Sequence, residues 1–248
     1  MPRPIPELAP VTMATRSFSL NWTLLSTLVL RHRRQSNRRV AGCQSAIRCS
    51  LFLITIAVCT QSSPTQASVV EDNLRAVIEG NRALKDSLFR HGDDSPLRLQ
   101  DKSDFAGLRY FPVNLGWRVE GKLHRYGRTR QIQLPDTGGS TIAVERFGRF
   151  LFQVDGKAFW LEVFRSVQGG SLTTYFTDQT NGTSTYGAGR YAVVGKSDDG
   201  TYVLDFNGSY SPYCAYNEDY VCPLPPAHNH LPFKVDAGEL DTGPDLAH

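Results

Sequence analysis

From Tyr110 onward, short runs of strand-forming residues alternate with turn signals, and this pattern constrains the fold more than any other feature. The dipeptides Asp155-Gly156 and Asp199-Gly200 lie between apolar runs, and Asp-Gly accepts the positive φ angles of tight hairpin turns. We therefore predict a mainly β domain, an antiparallel barrel or sandwich. The candidate strands are 117–126, 132–134, 142–147, 149–154, 157–166, 172–177, 190–194, 202–206 and 231–235.

One amphipathic helix is predicted ahead of the strands, over residues 69–91. Gly92 and Ser95-Pro96 supply the signals that end it. We expect its apolar stripe to pack on one face of the sheet. The stripe recurs near the 3.6-residue helical period and consists of Leu74, Val77, Ile78, Ala83, Leu84 and Leu88.

The segment 1–67 is predicted to be a targeting segment. An arginine-rich stretch precedes the apolar run 51–59, and Ala67 is a suitable residue before a cleavage site, which is the order of a secretory signal. A mitochondrial presequence, or a twin-arginine signal at Arg38-Arg39, is the alternative. We expect a secreted or periplasmic protein, with one domain over 68–240 and a frayed tail over 241–248.

Charge and hydropathy limit the partners of this domain. Residues 1–70 carry eight arginines and one acidic residue, so the remainder has 19 basic and 23 acidic side chains. A domain with an acidic excess has no electrostatic footprint for nucleic acid, and we expect no such partner. The run 51–59 is far shorter than the ~20 residues of a membrane-spanning helix, so we expect no span in the mature chain.

Two cysteines, Cys214 and Cys222, follow the predicted targeting segment. An even pair in an exported domain indicates a disulfide. No spacing of cysteines and histidines resembles a zinc site, and we predict neither a metal nor a cofactor.

Arg190 and Asp178 are the first candidates for a ligand site. Arg190 enters a predicted strand and can pair bidentately with a carboxylate, either within the protein or on an anionic ligand. Asp205 and Asn207 share one face of another strand, where they either hold the following loop or face a ligand.

Tyrosines and histidines supply further candidates. Tyr186 and Tyr216 belong to a tyrosine-rich region that could line a pocket, because tyrosine offers an apolar ring with a polar tip. A rigid core explains these tyrosines as well. His228 and His230 share one face of an extended segment, where they could bind a metal together with a carboxylate or simply face solvent.

A set of ordered motifs resembles the uncharacterised family known as domain of unknown function 1684. The motifs are Ser95-Pro96-Leu97, 105–108, Tyr110-Phe111-Pro112, 185–191, 204–207, Tyr210, 212–216, 222–226, Asn229, Leu231-Pro232 and Ala237-Gly238-Glu239. The resemblance covers about residues 70–240 and implies no reaction, cofactor or partner. The family pattern carries acidic and basic residues where His228 and His230 stand, so it gives no support to catalytic histidines.

Two biochemical functions and one structural alternative remain as hypotheses from the sequence. The favoured one is a β-domain that binds a small polar or anionic ligand, with Arg190 as the anchor, Asp178, Asp205 and Asn207 as orienting groups, and tyrosines as walls. The alternative is a hydrolase acting outside the cytoplasm, with Asp178 or Asp205 as general base or metal ligand. A purely structural or interaction domain is the third reading.

Overall fold

The structure is a computed structural model that describes residues 65–167, 169–197 and 199–241. Antiparallel pairing joins each strand to the next, and the last strand to the first, so that the sheet closes into a six-stranded barrel. The predicted mainly β fold with one preceding helix is confirmed. The elements are α1 (Gln66–His91), β1 (Arg118–Pro135), β2 (Thr141–Val154), β3 (Lys157–Ser166), β4 (Gly169–Phe176), β5 (Arg190–Lys196) and β6 (Tyr202–Asp205).

The bounds of several elements differ from the predictions, most clearly those of α1, β1 and β2. Helix α1 begins at Gln66, three residues earlier than expected, where the Thr65 side chain caps it by accepting from the N–H of Ser68. Strands β1 and β2 each run unbroken through a stretch that was predicted as two strands. Residues 1–64 of the predicted targeting segment, and 242–248 of the predicted tail, lie outside the described residues.

The hairpin between β2 and β3 has the predicted turn. Asp155 and Gly156 adopt φ angles of 50° and 73°, and Val154 stands opposite Lys157. The predicted strand 231–235 is wrong. Its backbone bonds to a loop instead of a strand: the N–H of Leu231 donates to the carbonyl of Thr177, and Pro232 has no N–H to donate.

Alternation along the strands builds two cores, one inside the barrel and one outside it. Phe176 and Ala192 point into the interior, whereas their neighbours Tyr175 and Tyr191 point outward. Helix α1 and the chain after β6 cover this outer face, so the outward tyrosines are buried as well.

The predicted contact face of α1 is correct at Ile78 but wrong at Val77, Leu84 and Leu88. Ile78 and Phe89 are its buried residues, whereas Val77, Leu84 and Leu88 are more than 40% exposed. The helix is rotated because polar partners draw another stripe inward: guanidinium nitrogens of Arg82 donate to the carbonyls of Phe111 and Asn207, and Lys85 pairs with Glu239. No helix of the described residues is long and apolar enough to cross a membrane.

Candidate functional site

Arg190 and Asp178 form an ion pair that is wholly enclosed by protein. Their atoms Nη2 and Oδ2 lie 2.7 Å apart, and both side chains are 0% exposed. Arg190 also donates to the carbonyls of Ala237 and Val235, while Asp178 accepts from the N–H of Thr180. The structure therefore brings these two predicted residues together, in a contact that braces the segment before Glu239.

Asp205 and Asn207 form a second, separate network. The Asn207 side chain both accepts from and donates to the backbone of Asn114, and it donates to Asp205 Oδ1 at 2.9 Å. Asp205 also pairs with Arg118 at 3.3 Å. The two residues hold the end of β6 against the chain that enters β1, whereas the prediction had them hold the loop that follows β6 or face a ligand.

Tyr186 lies beside the two cysteines. Its hydroxyl is 3.9 Å from the sulfur of Cys214, and the N–H of Cys214 donates to the sulfur of Cys222 at 3.4 Å. The structure contains both cysteines as free thiols in contact. Their mutual hydrogen bond lowers the pKa of Cys214 and raises that of Cys222.

The sixth predicted residue, Tyr216, lies apart from the other five, under helix α1. Its ring meets that of Phe89 edge-on, with centroids 4.9 Å apart, so it lies directly under helix α1. Other polar side chains surround it there. We call this group the helix-covered site; its members are Arg82 and Lys85 of α1, together with Tyr110, Ser209, Ser211, Tyr216 and Glu239.

A buried ion pair stands at the centre of the helix-covered site. Lys85 Nζ lies 2.5 Å from Glu239 Oε2, and the two side chains are 17% and 0% exposed. The ammonium also lies 5.1 Å from the ring centre of Tyr210 and 5.8 Å from that of Tyr216. Burial raises the pKa of Glu239, while the charge of Lys85 opposes this shift.

Several buried polar atoms at this site lack a hydrogen-bond partner among the described residues. More than nine in ten buried polar groups of folded proteins have one, so a cluster of exceptions requires an explanation. These atoms can contact a ligand or water without giving up an existing bond. They are Arg82 Nε, Tyr110 Oη, Ser209 Oγ, Ser211 Oγ, Tyr216 Oη and Glu239 Oε1.

Gly238 places Glu239 at the centre of the site. It adopts φ +80°, and a Cβ there would stand 2.7 Å from the carbonyl oxygens of both Phe206 and Ser209. Only glycine fits so close an approach. The N–H of Glu239 then donates to the carbonyl of Ser209. This hydrogen bond holds the backbone of Glu239 beside that of Ser209.

Sequence reasoning missed most of this site. Lys85 and Glu239 are 154 residues apart, and no local pattern connects them. One signal was present: Lys85 and Phe89 follow Ile78 at the helical spacings i+7 and i+11, on a face that mixes charge with apolar residues.

The two histidines of the predicted pair have different partners. His228 Nε2 lies 2.8 Å from Glu162 Oε2, whereas His230 Nδ1 lies 3.0 Å from the Thr177 hydroxyl. Within the ranges that the structure describes, no group of three or more His, Cys, Asp or Glu side chains is arranged to hold a metal ion.

Comparison with known proteins identifies the family. The profile described as protein of unknown function (DUF1684) matches residues 103–240. The solution NMR structure of an uncharacterised protein of Haloarcula marismortui is similar, with a TM-score of 0.56 and 32% identity over 73% of this chain and 100% of that one. No curated protein matches. The resemblance of the motifs is thus confirmed, and the chain belongs to the DUF1684 family of proteins of unknown function.

Proposed function

We propose that this protein binds a small polar molecule in the helix-covered site. One observation carries the proposal: buried polar atoms without partners gather around the Lys85–Glu239 ion pair. Leaving a buried polar atom unpaired costs about 1–3 kcal/mol, and a protein retains several such atoms at one place when something other than the protein pairs with them.

The unpaired atoms favour a particular ligand chemistry. The hydroxyls of Tyr110, Ser211 and Tyr216 can each donate or accept, whereas Glu239 Oε1 requires a donor. Glu239 balances the charge of Lys85, and the carboxylates of Asp205 and Glu79 act on that of Arg82. These features favour a neutral or zwitterionic molecule rich in hydroxyl or ammonium donors over a strongly anionic one.

The predicted residues then act around this site. Tyr216 would contact the ligand, while Arg190 and Asp178 would position the backbone that carries Glu239. Neither predicted carboxylate supports the hydrolase alternative, because Asp178 is enclosed with Arg190 and Asp205 is bonded to Asn207 and Arg118. Binding is therefore the better supported class.

Two tyrosine-to-phenylalanine substitutions test this proposal. Tyr216→Phe removes an unpaired hydroxyl, so we expect it to raise the free energy of unfolding of the ligand-free protein by about 1 kcal/mol and to weaken ligand binding. The matched control is Tyr191→Phe, since the Tyr191 hydroxyl donates to the carbonyl of Pro223 at 2.5 Å. We expect this control to lose about 1 kcal/mol.

Urea unfolding gives the stabilities, and native mass spectrometry of the purified protein gives ligand occupancy as an added mass that denaturation releases. Stability that rises while occupancy falls in Tyr216→Phe is the expected signature of a binding group. A wild-type protein of bare polypeptide mass, together with a Tyr216→Phe variant less stable than wild type, contradicts the proposal.

We further propose that the protein is exported and that Cys214 and Cys222 form a disulfide outside the cytoplasm. The hydrogen bond from the Cys214 N–H to the Cys222 sulfur, at 3.4 Å, supports this pairing, and the thiolate favoured at Cys214 is the form that attacks in disulfide exchange. Closing so short a loop would contribute about 2–3 kcal/mol on the chain-entropy model.

Peptide mapping tests the disulfide directly. Trypsin cleaves after Lys196 and Lys234, so both cysteines fall on one peptide. For protein prepared under oxidising conditions, we expect this peptide to be lighter by two hydrogen atoms and to regain them after reduction. A peptide that alkylates at both cysteines without prior reduction would show that the pair stays reduced.

A further inference from the structure

A second polar cluster lies on β1, β2 and β3, on the side of the sheet that faces away from the barrel interior. We call it the outer-face cluster. It consists of Tyr126, Arg146, Arg149, Trp160, Glu162 and His228.

Glu162 is the buried anion at the base of this cluster. Its side chain is 1% exposed, and it accepts from the Tyr126 hydroxyl at 2.5 Å and from Arg146 Nε at 2.8 Å. Burial favours the neutral carboxyl, but the hydrogen bonds from Tyr126, Arg146 and His228 outweigh it and lower the pKa of Glu162. Glu162 therefore remains ionised and balances the charge of Arg146.

His228 is held at both its face and its edge. Its ring stacks on that of Trp160, with centroids 5.5 Å apart, and its Nε2 meets the Glu162 carboxylate at 2.8 Å. An ionised carboxylate only accepts, so Nε2 donates. The other ring nitrogen, Nδ1, is then the one that can serve a ligand. With its side chain 45% exposed, His228 is open to solvent.

Arg149 is the unbalanced cation of the cluster. Its guanidinium lies 4.2 Å from the Trp160 ring centre, and its Nε donates to the Tyr126 hydroxyl at 3.1 Å. In the part of the chain that the structure describes, no carboxylate lies within ion-pair distance of it. Stacking and the Nε bond restrict the side chain in advance, so binding through its terminal nitrogens costs less conformational entropy.

We propose that the outer-face cluster is a binding site for a phosphate group. The terminal nitrogens of Arg149 form the fork that matches two phosphate oxygens, and Arg146, 35% exposed, adds a second guanidinium. His228 Nδ1 accepts from a protonated phosphate oxygen, or donates to an ionised one when the ring is protonated. This site is separate from the helix-covered site, and either can exist without the other.

Inorganic phosphate is the probe for the first experiment. NMR spectra of protein labelled with ¹⁵N at histidine and tryptophan report the Nδ1 of His228 and the indole N–H of Trp160, assigned with His228→Gln and Trp160→Phe. We expect both signals to shift saturably with phosphate. Arg149→Gln should weaken binding about tenfold or more, because it removes charge-assisted hydrogen bonds.

Arg128→Gln is the matched control, since Arg128 is an exposed arginine on the same strand as Tyr126. We expect it to change phosphate affinity less than about twofold, because the charge that it removes is solvent-exposed and screened. Signals that do not saturate, or equal weakening by Arg149→Gln and Arg128→Gln, would overturn the proposal in favour of diffuse surface charge.

Two further binding experiments identify the source of the phosphate group. Glycerol 3-phosphate represents a soluble phosphomonoester, and vesicles that contain phosphatidic acid represent a lipid headgroup. Competition by glycerol 3-phosphate at the His228 signal supports a soluble ligand. Binding to vesicles that Arg149→Gln abolishes supports a lipid one. Failure of both ligands to compete with inorganic phosphate contradicts a site for phosphate groups.

Discussion

Replacing Arg190 with alanine is expected to lower the free energy of unfolding by about 3–5 kcal/mol, because it leaves the Asp178 carboxylate buried without its partner. The substitution also removes the donors to the carbonyls of Val235 and Ala237. Arg190→Lys should recover little of this loss, since one ammonium cannot replace a planar fork that serves three acceptors. Urea unfolding monitored by circular dichroism measures the change.

An exposed ion pair supplies the control. Arg98 and Glu218 lie 3.2 Å apart, with Glu218 81% exposed, and Arg98→Ala should cost less than about 1 kcal/mol. If Arg190→Ala is too unstable to purify, Asp178→Asn keeps the shape and allows the same measurement. A loss from Arg190→Ala no larger than that from Arg98→Ala would contradict a structural role for this pair.

Replacing Asn229 with alanine is expected to have the second-largest effect, a loss of about 3–5 kcal/mol. Asn229 Oδ1 accepts from the N–H of Glu162 at 2.7 Å, and Nδ2 donates to the carbonyls of Glu162 and Tyr175 at 3.0 and 2.8 Å. The side chain thus links β3 to β4 beyond their last paired residues, Phe164 and Thr173. Each buried backbone group left unpaired costs about 1–3 kcal/mol.

The neighbouring exposed residue provides the comparison. His230→Ala removes one surface contact to Thr177, and we expect it to change the stability by less than about 1 kcal/mol. Asn229→Asp is informative as well, because it keeps an acceptor for the N–H of Glu162 but loses both donors. Equal stability of Asn229→Ala and His230→Ala would show that backbone pairing does not depend on this side chain.

Local patterns in the sequence predict the barrel well. Asp155 and Gly156 determine a hairpin through their own φ angles, and alternation along each strand depends only on neighbours. The strand predicted at 231–235 failed because Pro232 lacks a donor and its surroundings are a loop, and neither a propensity nor a periodicity shows what lies beside a segment.

Long-range contacts explain why the site was harder to predict. The apolar stripe of α1 predicted that Leu84 and Leu88 face the sheet, but both are exposed. Arg82 and Lys85 of the adjacent helix face point inward instead, where they bond to a carbonyl and to the carboxylate of Glu239. The sequence allowed an ion pair of Arg190 with a carboxylate as the alternative to a ligand contact, and in the structure this partner is Asp178. Their complete enclosure depends on the backbone at Val235 and Ala237, which a single sequence does not place.

A crystal structure of the purified protein at a resolution that distinguishes water from larger molecules tests the central claim most directly. We predict continuous density in the helix-covered site, larger than a water molecule and within hydrogen-bond distance of Glu239 Oε1 and the Tyr216 hydroxyl. Isolated waters that pair with every one of these atoms, in crystals grown with the protein as purified, would contradict it.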